Sequence, residues 1–153
     1  MAFSVEEPAL GTSAVCEPIL RALPEWFAIE RSIVRYLEDI DAMPTVLARV
    51  DDEIAGFLTI RRHNEYSAEV HVMAVRQENH RNGLGRKMLQ EAEEFLRREG
   101  VEYLQVKTLG PSRPDEHYAK THLFYLAMGF RPLEEFEEIW DKNNPCLLMI
   151  KKL

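Results

Sequence analysis

The segment from residue 68 to residue 108 limits the possible folds of this 153-residue chain more than any other. In Ala68 to Val75 every second side chain is apolar, which predicts a strand with one apolar face. That face would hold Val70, Val72 and Ala74, and the opposite face Glu69, His71 and Met73. A polar loop with Gly83 and Gly85 follows, then an amphipathic helix that Gly100 ends, then a strand from Val101 to Thr108. So short a strand, helix, strand succession predicts a parallel pair of strands and an α/β fold.

Further helices and strands are predicted around this unit. The helices cover Ser13 to Ala22, Ile29 to Asp41 and about Asp115 to Met128; the strands cover Thr45 to Val50, Ile54 to Arg61, about Phe130 to Phe136 and Cys146 to Lys151. The predicted order is ααβββαβαββ. We therefore expect a single domain over residues 1–153, with residues 1–12 loosely ordered. Its sheet should be mixed, mostly antiparallel and flanked by helices, with one parallel pair.

The composition excludes several classes of protein. Apolar residues form 46% of the chain and charged residues 29%, which is typical of a globular domain. The two cysteines, Cys16 and Cys146, lie far apart and outside any CxxC pattern, so we expect free thiols in a reducing compartment. The longest apolar run, Leu123 to Met128, is far shorter than the roughly 20 residues of a membrane helix. The first residues lack the basic region of a signal peptide. We expect a cytoplasmic protein without a membrane partner.

Charge is unevenly distributed along the chain. The formal net charge is −7, which argues against a general nucleic-acid-binding protein. Residues 76–87 nevertheless hold four basic side chains, Arg76, Arg81, Arg86 and Lys87, against the single acidic Glu78. This local positive charge predicts a site for a small anion.

The loop from Val75 to the first helical turn after Gly83 has the chemistry of a phosphate site. Glycines let the backbone approach a ligand closely, and the unpaired N–H groups at a helix start bind anions. The Walker order and the three-glycine Rossmann fingerprint are both missing. Taken alone, Gly83 and Gly85 are also compatible with an ordinary tight turn.

A second motif, read together with this loop, resembles the GNAT family of acyl-CoA-dependent N-acetyltransferases. In that family a strand ending in Val is followed by Arg/Gln-x-x-Gly-x-Gly/Ala and later by a helix ending in Phe-Tyr-x-x-x-Gly-Phe. Here the first motif consists of Val75, Gly83 and Gly85, and the second extends from Phe124 to Phe130. The resemblance covers residues 45–153, and the two N-terminal helices agree with it.

The resemblance implies that the opening between the two parallel strands holds acetyl-CoA as co-substrate. The diphosphate would bind mainly to backbone N–H groups of Arg81 to Arg86. The chain departs from the family at His80, which takes the Arg/Gln position, and at Tyr118, where the family often has Asn. Because the contacts are mainly to backbone, His80 leaves the assignment intact. The implied acetyl-CoA-binding residues are Met73, Ala74, Val75, His80, Arg81, Asn82, Gly83, Leu84, Gly85, Arg86, Lys87, Tyr118, Thr121 and Phe124.

The chemistry that the resemblance implies is direct attack of a primary amine on the thioester in a ternary complex. An alkylammonium with a pKa of about 10.4 must first lose a proton, which at pH 7 costs about 4.6 kcal/mol. A general base or a water path therefore helps. Glu69 stands where one branch of the family carries its glutamate base, and His71 shares its face. Alternatively, Glu69 pairs with a neighbour and His71 is a hydrogen-bonded sheet histidine.

Tyr125 matches the tyrosine that hydrogen-bonds or protonates the leaving thiolate in this family. A thiolate with a pKa near 8.5 can accept from a tyrosine hydroxyl with a pKa near 10. Without the motif, the spacing of Tyr125 with Leu126 and Phe130 would predict a core aromatic. Backbone N–H groups near Met73 to Val75, where the family's strand bulges and diverges from its parallel neighbour, would bind the developing oxyanion.

The residues of the acceptor site are harder to identify from the sequence than those of the acetyl-CoA site. Trp26 and Phe27 lie where the family builds part of its acceptor pocket, although they also suit a hydrophobic plug under a loop. The acidic run over residues 134–138 would attract a cationic acceptor, or is a solvated edge strand. The histidines have no metal-site spacing, so no metal is expected. The expected partner is a small-molecule or peptide amine rather than nucleic acid, and homodimers are common in the family.

Two other functions are compatible with the same residues. A non-catalytic relative would bind acyl-CoA as a sensor or interaction module, and a plain interaction domain would not bind it. Only the enzyme would release free CoA thiol when amines are supplied.

Overall fold

Seven strands form one mixed sheet in the computed structural model, which describes residues 3–153. The strands are β1 Phe3–Val5, β2 Thr45–Val50, β3 Glu53–Arg62, β4 Ser67–Val75, β5 Tyr103–Leu109, β6 Arg131–Asp141 and β7 Asn144–Lys152; the helices are α1 Ser13–Arg21, α2 Glu30–Ala42, α3 Leu84–Arg98 and α4 Glu116–Ala127. The spatial order is β1-β2-β3-β4-β5-β7-β6. Among the strands of residues 3–153, only β4 and β5 pair in parallel. The predicted fold class is confirmed.

Helices cover both faces of the sheet. The apolar stripe of α3 packs on one face, where Met88, Leu89 and Leu96 join the larger core. On the other face α1 and α2 bury Ile19 and Ile40 in a second core. Among residues 3–153, no helix combines the length and the apolar character needed to cross a membrane.

The parallel pair separates part-way along its length. β4 pairs with β5 only from Ser67–Tyr103 to Val70–Val106. Beyond Val106, β5 continues against β7 as far as the pairing of Leu109 with Cys146. The last residues of β4 stay with β3, so a gap opens between the two strands. This gap is the opening that the resemblance implied.

β4 does not have the single apolar face that its alternation predicts. Thr59 of β3 pairs with Val72 and the next residue, Ile60, pairs with Val70, so His71 is an extra residue in the ladder. Such a bulge reverses the alternation. Val70 therefore packs in the core under α3, whereas Val72 and Ala74 pack in the core under α1 and α2. The prediction that Val70, Val72 and Ala74 share a face is wrong.

The ends of the sheet also differ from expectation. Residues 3–5, predicted to be loosely ordered, form β1 because their backbone pairs with Ala48–Val50 of β2, and Ala9 bridges Thr45. Met1 and Ala2 lie outside the described residues. β6, predicted to end at Phe136, extends to Asp141, because the Asp141 carboxylate accepts hydrogen bonds from the backbone of the turn that leads into β7.

Candidate active site

A cleft of about 1200 Å³ lies where β4 and β5 separate. Its floor is formed by the edges of β4 and β5 where the two strands diverge. The loop between β4 and α3 closes one end, and α4 forms one wall. The other end is lined by the α1–α2 connection, by α2 and by Ile139 and Trp140 of β6. The cleft therefore has two halves, one at the α3 loop and one at α2.

The α3 loop presents backbone N–H groups to the cleft. His80 donates through Nε2 to the Val75 carbonyl oxygen at 2.8 Å, which attaches the loop to the end of β4. Arg81 and Gly83 both have left-handed backbone, with φ of 65° and 83°, and the chain then turns into α3. Gly83 is the N-cap and supplies no side-chain acceptor, and the first turn holds no acidic residue. The first N–H groups and the helix dipole are therefore available to an anion, with Arg86 beside them.

Gly85 allows α4 to lie close to this loop. A Cβ at Gly85 would stand 3.2 Å from two ring carbons of Phe124. The absence of a side chain lets the Phe124 ring pack against the first turn of α3. The ring thus forms an apolar wall beside the anion site.

The exposed edge of β4 supplies two further donors. The Arg76 N–H donates to the Ala55 carbonyl oxygen of the β3 side at 2.8 Å. Because N–H directions alternate along an antiparallel pair, the N–H groups of Met73 and Val75 point away from β3 and into the cleft. They are placed where a thioester carbonyl oxygen between β4 and β5 would accept hydrogen bonds.

Tyr125 lies on the α4 wall of the same cleft. Its side chain is only 5% exposed and packs edge-to-face on Phe124 and Phe130, with ring centroids 5.4 Å apart in each case. Burial raises the pKa of the Tyr125 hydroxyl well above the usual value for tyrosine. The hydroxyl therefore stays protonated at neutral pH and can donate a hydrogen bond.

Tyr118 connects α4 to the far end of the cleft. Asp115 caps α4 by accepting hydrogen bonds from the backbone of His117 and Tyr118. The Tyr118 hydroxyl donates to the Trp26 carbonyl oxygen at 3.4 Å. Burial, with a smaller contribution from Tyr36, raises the pKa of Tyr118 to about 12. This residue, at the family's Asn position, thus joins the two halves of the cleft.

Glu69 is buried and held by two donors on one oxygen. Its Oε1 lies 2.7 Å from His63 Nε2 and 3.1 Å from Lys107 Nζ of β5. The Glu69 side chain is 7% exposed, and Lys107 spans the separated strands to reach it. The contacts match the alternative in which Glu69 pairs with its neighbours.

His71 also has a carboxylate partner. Its Nε2 donates to Asp39 Oδ2 of α2 at 2.7 Å. The Tyr36 ring packs edge-on against the imidazole, with centroids 5.7 Å apart. His71 nevertheless lines the cleft as well.

Trp26 lies between the two halves of the cleft. Its indole packs against the rings of His80, in the α3 loop, and His117, on α4. The indole Nε1 donates to Thr121 Oγ1 at 3.3 Å. Trp26 therefore contacts the predicted acetyl-CoA-binding elements as well as the predicted acceptor side, whereas Phe27 packs on Tyr36.

Comparison with known families decides the assignment. The model of the acetyltransferase (GNAT) family matches residues 15–130, which is more than half of the chain. The chain belongs to this family. The resemblance seen in the two sequence motifs is confirmed, and membership makes the chain an acetyl-CoA-dependent acetyltransferase.

Solved structures of low identity share the GNAT fold. A GNAT-family protein from Desulfovibrio desulfuricans superposes with a TM-score of 0.83 at 18% identity, covering 99% of both chains. A GNAT acetyltransferase from Elizabethkingia anophelis with acetyl-CoA bound gives 0.75 at 16%, covering 99% of this chain and 98% of the other. PaiA N-acetyltransferase from Thermoplasma acidophilum, in complex with coenzyme A, gives 0.77 at 16%, covering 100% of both. Among curated proteins, no sequence matches significantly.

The α3 half of the cleft fits the family's co-substrate. Backbone N–H groups at Gly83 and beyond suit a diphosphate, and the Phe124 wall suits the apolar part of a pantetheine arm. The donors at Met73 and Val75 suit a thioester carbonyl. Within residues 3–153, no group of three His, Cys, Asp or Glu side chains is arranged to hold a metal ion.

Most predicted site residues line this one cleft. They are Trp26, Phe27, Glu69, His71, Met73, Ala74, Val75, His80, Arg81, Gly83, Leu84, Gly85, Arg86, Tyr118, Thr121, Phe124 and Tyr125. Asn82 and Lys87 do not line it. Lys87 lies on the side of α3 that faces β1, beside a small cavity with Phe3 and Val5.

Several residues of the site were missed from the sequence. They are Tyr36, Asp39, Arg61, Lys107, Thr108, Ile139 and Trp140. The polar members lie on α2, β3 and β5, where nothing in the local pattern separates them from surface residues. Trp140 lay beyond the predicted end of its strand.

The acidic run of β6 does not form a mouth for the cleft. None of the carboxylates at 134–138 is among the described lining residues. Glu135 instead lies over Gly110 and accepts from the Ser112 N–H and hydroxyl, at 3.1 and 2.7 Å, thereby holding the loop before α4. The other three are exposed on an edge strand, so the solvated-edge alternative describes this run.

Proposed function

We propose that this chain transfers the acetyl group of acetyl-CoA to a primary amine by direct attack in a ternary complex. The observation that carries the proposal is the continuity of one cleft. The cleft extends from the anion site at α3, past the open edge of β4 and Tyr125, to the buried polar cluster around Glu69 and His71. Donor and acceptor can therefore bind at the same time, one in each half.

Each part of the reaction has a candidate group in the cleft. Acetyl-CoA, when bound, supplies an activated acyl group as its thioester. The N–H groups of Met73 and Val75 donate to the thioester carbonyl oxygen and stabilise negative charge that develops there. The Tyr125 hydroxyl donates to the sulfur as the thiolate departs.

His71 is the better placed general base of the two candidates. Glu69 Oε1 already accepts from Lys107 and His63, and the side chain is almost fully buried. His71 uses only Nε2 for its contact with Asp39 and lines the cleft. We therefore assign proton removal from the acceptor amine to His71 and a structural role to Glu69.

A thiol-release assay tests the proposed function. Purified protein, acetyl-CoA and a panel of polyamines, aminoglycosides, amino acids and peptides should yield free CoA thiol only when an accepted amine is present. The protein's own thiols will not interfere, because Cys16 and Cys146 are fully buried and burial raises the pKa of each to about 11. Binding of acetyl-CoA by calorimetry without thiol release from any amine would instead favour the non-catalytic sensor.

Replacing each of the two base candidates by glutamine should separate their roles. His71→Gln should lower kcat with a strongly basic amine by about thirtyfold, below the 10²-fold usual for a lost base because water can enter the open cleft. Glu69→Gln should lower the melting temperature, since Lys107 loses its charged partner, and change kcat less than about threefold. Steady-state kinetics and thermal melts of both variants give the comparison. A larger kcat loss for Glu69→Gln than for His71→Gln would exchange the assignments.

A further inference from the structure

We propose that Asp39 is a positioning residue of the acetyl transfer, which holds His71 in the tautomer whose Nδ1 accepts the amine proton. The inference rests on the proposed function, in which His71 is the general base. It adds to the proposed mechanism a residue on α2, outside both family motifs, that acts through His71.

The bulge in β4 separates His71 from the regular ladder. His71 is the residue without a partner between the pairs Val72–Thr59 and Val70–Ile60. Bulges turn a side chain away from the direction that regular pleating would give it. Here the imidazole lies against α2, where Asp39 accepts its Nε2 hydrogen at 2.7 Å.

This contact determines which ring nitrogen carries the proton. An ionised carboxylate can only accept hydrogen bonds, so the nitrogen that faces Asp39 must be protonated. In the neutral imidazole the other nitrogen, Nδ1, then bears the lone pair. Nε2 is engaged by Asp39 and His71 lines the cleft, so we infer that Nδ1 is the ring atom that meets the acceptor.

The surroundings make Asp39 a partner of His71 rather than a base itself. Arg61 Nη2 lies 3.7 Å from the same Oδ2. The Asp39 side chain is 23% exposed and that of His71 is 15% exposed, so solvent only partly screens their interaction. Tyr36, three residues before Asp39 and on the same face of α2, packs against the imidazole and restricts its rotation.

The protons balance in this arrangement. The acceptor ammonium transfers one proton to His71 Nδ1, and the imidazolium that forms is stabilised by the Asp39 carboxylate. The amine then forms the amide bond as the carbon–sulfur bond breaks. The second nitrogen proton is lost to water, and the departing thiolate, to which the Tyr125 hydroxyl donates a hydrogen bond, takes its proton from water; His71 later returns its own proton to water as well.

Imidazole nitrogen NMR tests the tautomer on the wild-type protein without any acceptor. Spectra of ¹⁵N-labelled protein, with the His71 signals identified by their loss in His71→Gln, should show protonated Nε2 and unprotonated Nδ1 at a pH where the ring is neutral. Asp39→Asn should abolish this preference, because an amide can accept or donate. A protonated Nδ1 in the wild type would overturn the proposal.

Kinetics test whether the contact acts through His71. Asp39→Asn should lower kcat about tenfold with a strongly basic amine and leave the KM for acetyl-CoA unchanged, whereas Glu38→Gln, an exposed carboxylate one residue away on α2, should change neither. In the His71→Gln background, Asp39→Asn should cost less than about twofold, because the group it positions is gone. The tenfold loss should also shrink for a weakly basic aromatic amine, which is already neutral at pH 7.

The outcomes separate this proposal from the proposed function. A wild-type protein that releases no CoA thiol with any amine would contradict the function. If the wild type is active but Asp39→Asn lowers kcat by the same factor in the wild-type and in the His71→Gln background, the positioning role is contradicted. Asp39 would then only connect α2 to the sheet. If Asp39→Asn fails to fold, the wild-type tautomer still decides.

Discussion

Gly83→Pro should lower the affinity for acetyl-CoA by roughly 10²-fold or more, as measured by calorimetry, because it disrupts the N–H cluster at the start of α3. The wild-type residue has φ of +83°, whereas proline requires a φ near −65°. Proline also removes the N–H of residue 83. The first turn of α3 must then shift, and the N–H groups of Leu84 to Arg86 would no longer converge on one anion.

The opposite end of α3 offers a matched control. Gly100 has φ of +82°, and like Gly83 it has open space where a Cβ would stand. Gly83→Ala and Gly100→Ala should therefore cost similar stability, about 1 kcal/mol each for left-handed alanine. Only the change at Gly83 should weaken acetyl-CoA binding. Equal affinities for these two alanine variants, together with tight binding by Gly83→Pro, would disprove an anion site at this loop.

His80→Ala provides a second comparison at the same loop. The His80 ring donates to the Val75 carbonyl oxygen but supplies none of the helical N–H groups. Its removal should loosen the loop and weaken binding by less than Gly83→Pro does. At the family's Arg or Gln position, this chain thus has a residue that holds the loop to the end of β4.

The regular elements could be predicted because local patterns encode them. The helical spacing in α3 and the turn at Asp51 and Asp52 reflect interactions within a few residues, and the predicted bounds of β2 match the structure. The glycine loop was identifiable because left-handed backbone requires particular residues. The separation of β4 from β5 was available only through the family resemblance.

The bulge and the acceptor half could not be predicted because they depend on contacts between distant segments. The Val70, Val72 and Ala74 alternation looks unbroken, and only the register against β3 reveals the extra residue at His71. The Asp39 contact joins residues 32 positions apart, and the Lys107 contact with Glu69 joins residues 38 apart. No local pattern distinguishes such carboxylates from solvated ones.

The same dependence on distant contacts explains why the acidic run at residues 134–138 does not line the cleft. Residues 134–138 include four glutamates, and nothing in the sequence distinguishes one of them from another. In the structure Glu135 is drawn to the Ser112 hydroxyl and backbone, while its neighbours stay on the solvated edge. The total charge of a run therefore says little about which cavity it faces.

Tyr125→Phe should lower kcat by about 10²-fold and leave the affinity for acetyl-CoA nearly unchanged. Phenylalanine keeps the ring contacts with Phe124 and Phe130 and removes only the hydroxyl. Since burial raises the pKa of this hydroxyl above its usual value near 10, complete proton transfer to a thiolate with a pKa near 8.5 is unfavourable. The hydroxyl should therefore act mainly by donating a hydrogen bond to the sulfur as the carbon–sulfur bond breaks.

The direction of the pKa shift adds a pH criterion to this prediction. A tyrosine with a raised pKa remains a donor throughout the neutral and mildly alkaline range, so Tyr125 should cause no fall in kcat up to pH 10. Tyr118→Phe is the matched control, because it removes a hydroxyl on the same helix that donates to the Trp26 carbonyl oxygen instead. It should reduce kcat by only a few-fold. Single-turnover rates that are equal for wild type and Tyr125→Phe, with only the melting temperature lowered, would make Tyr125 a core aromatic and transfer the leaving-group role to water.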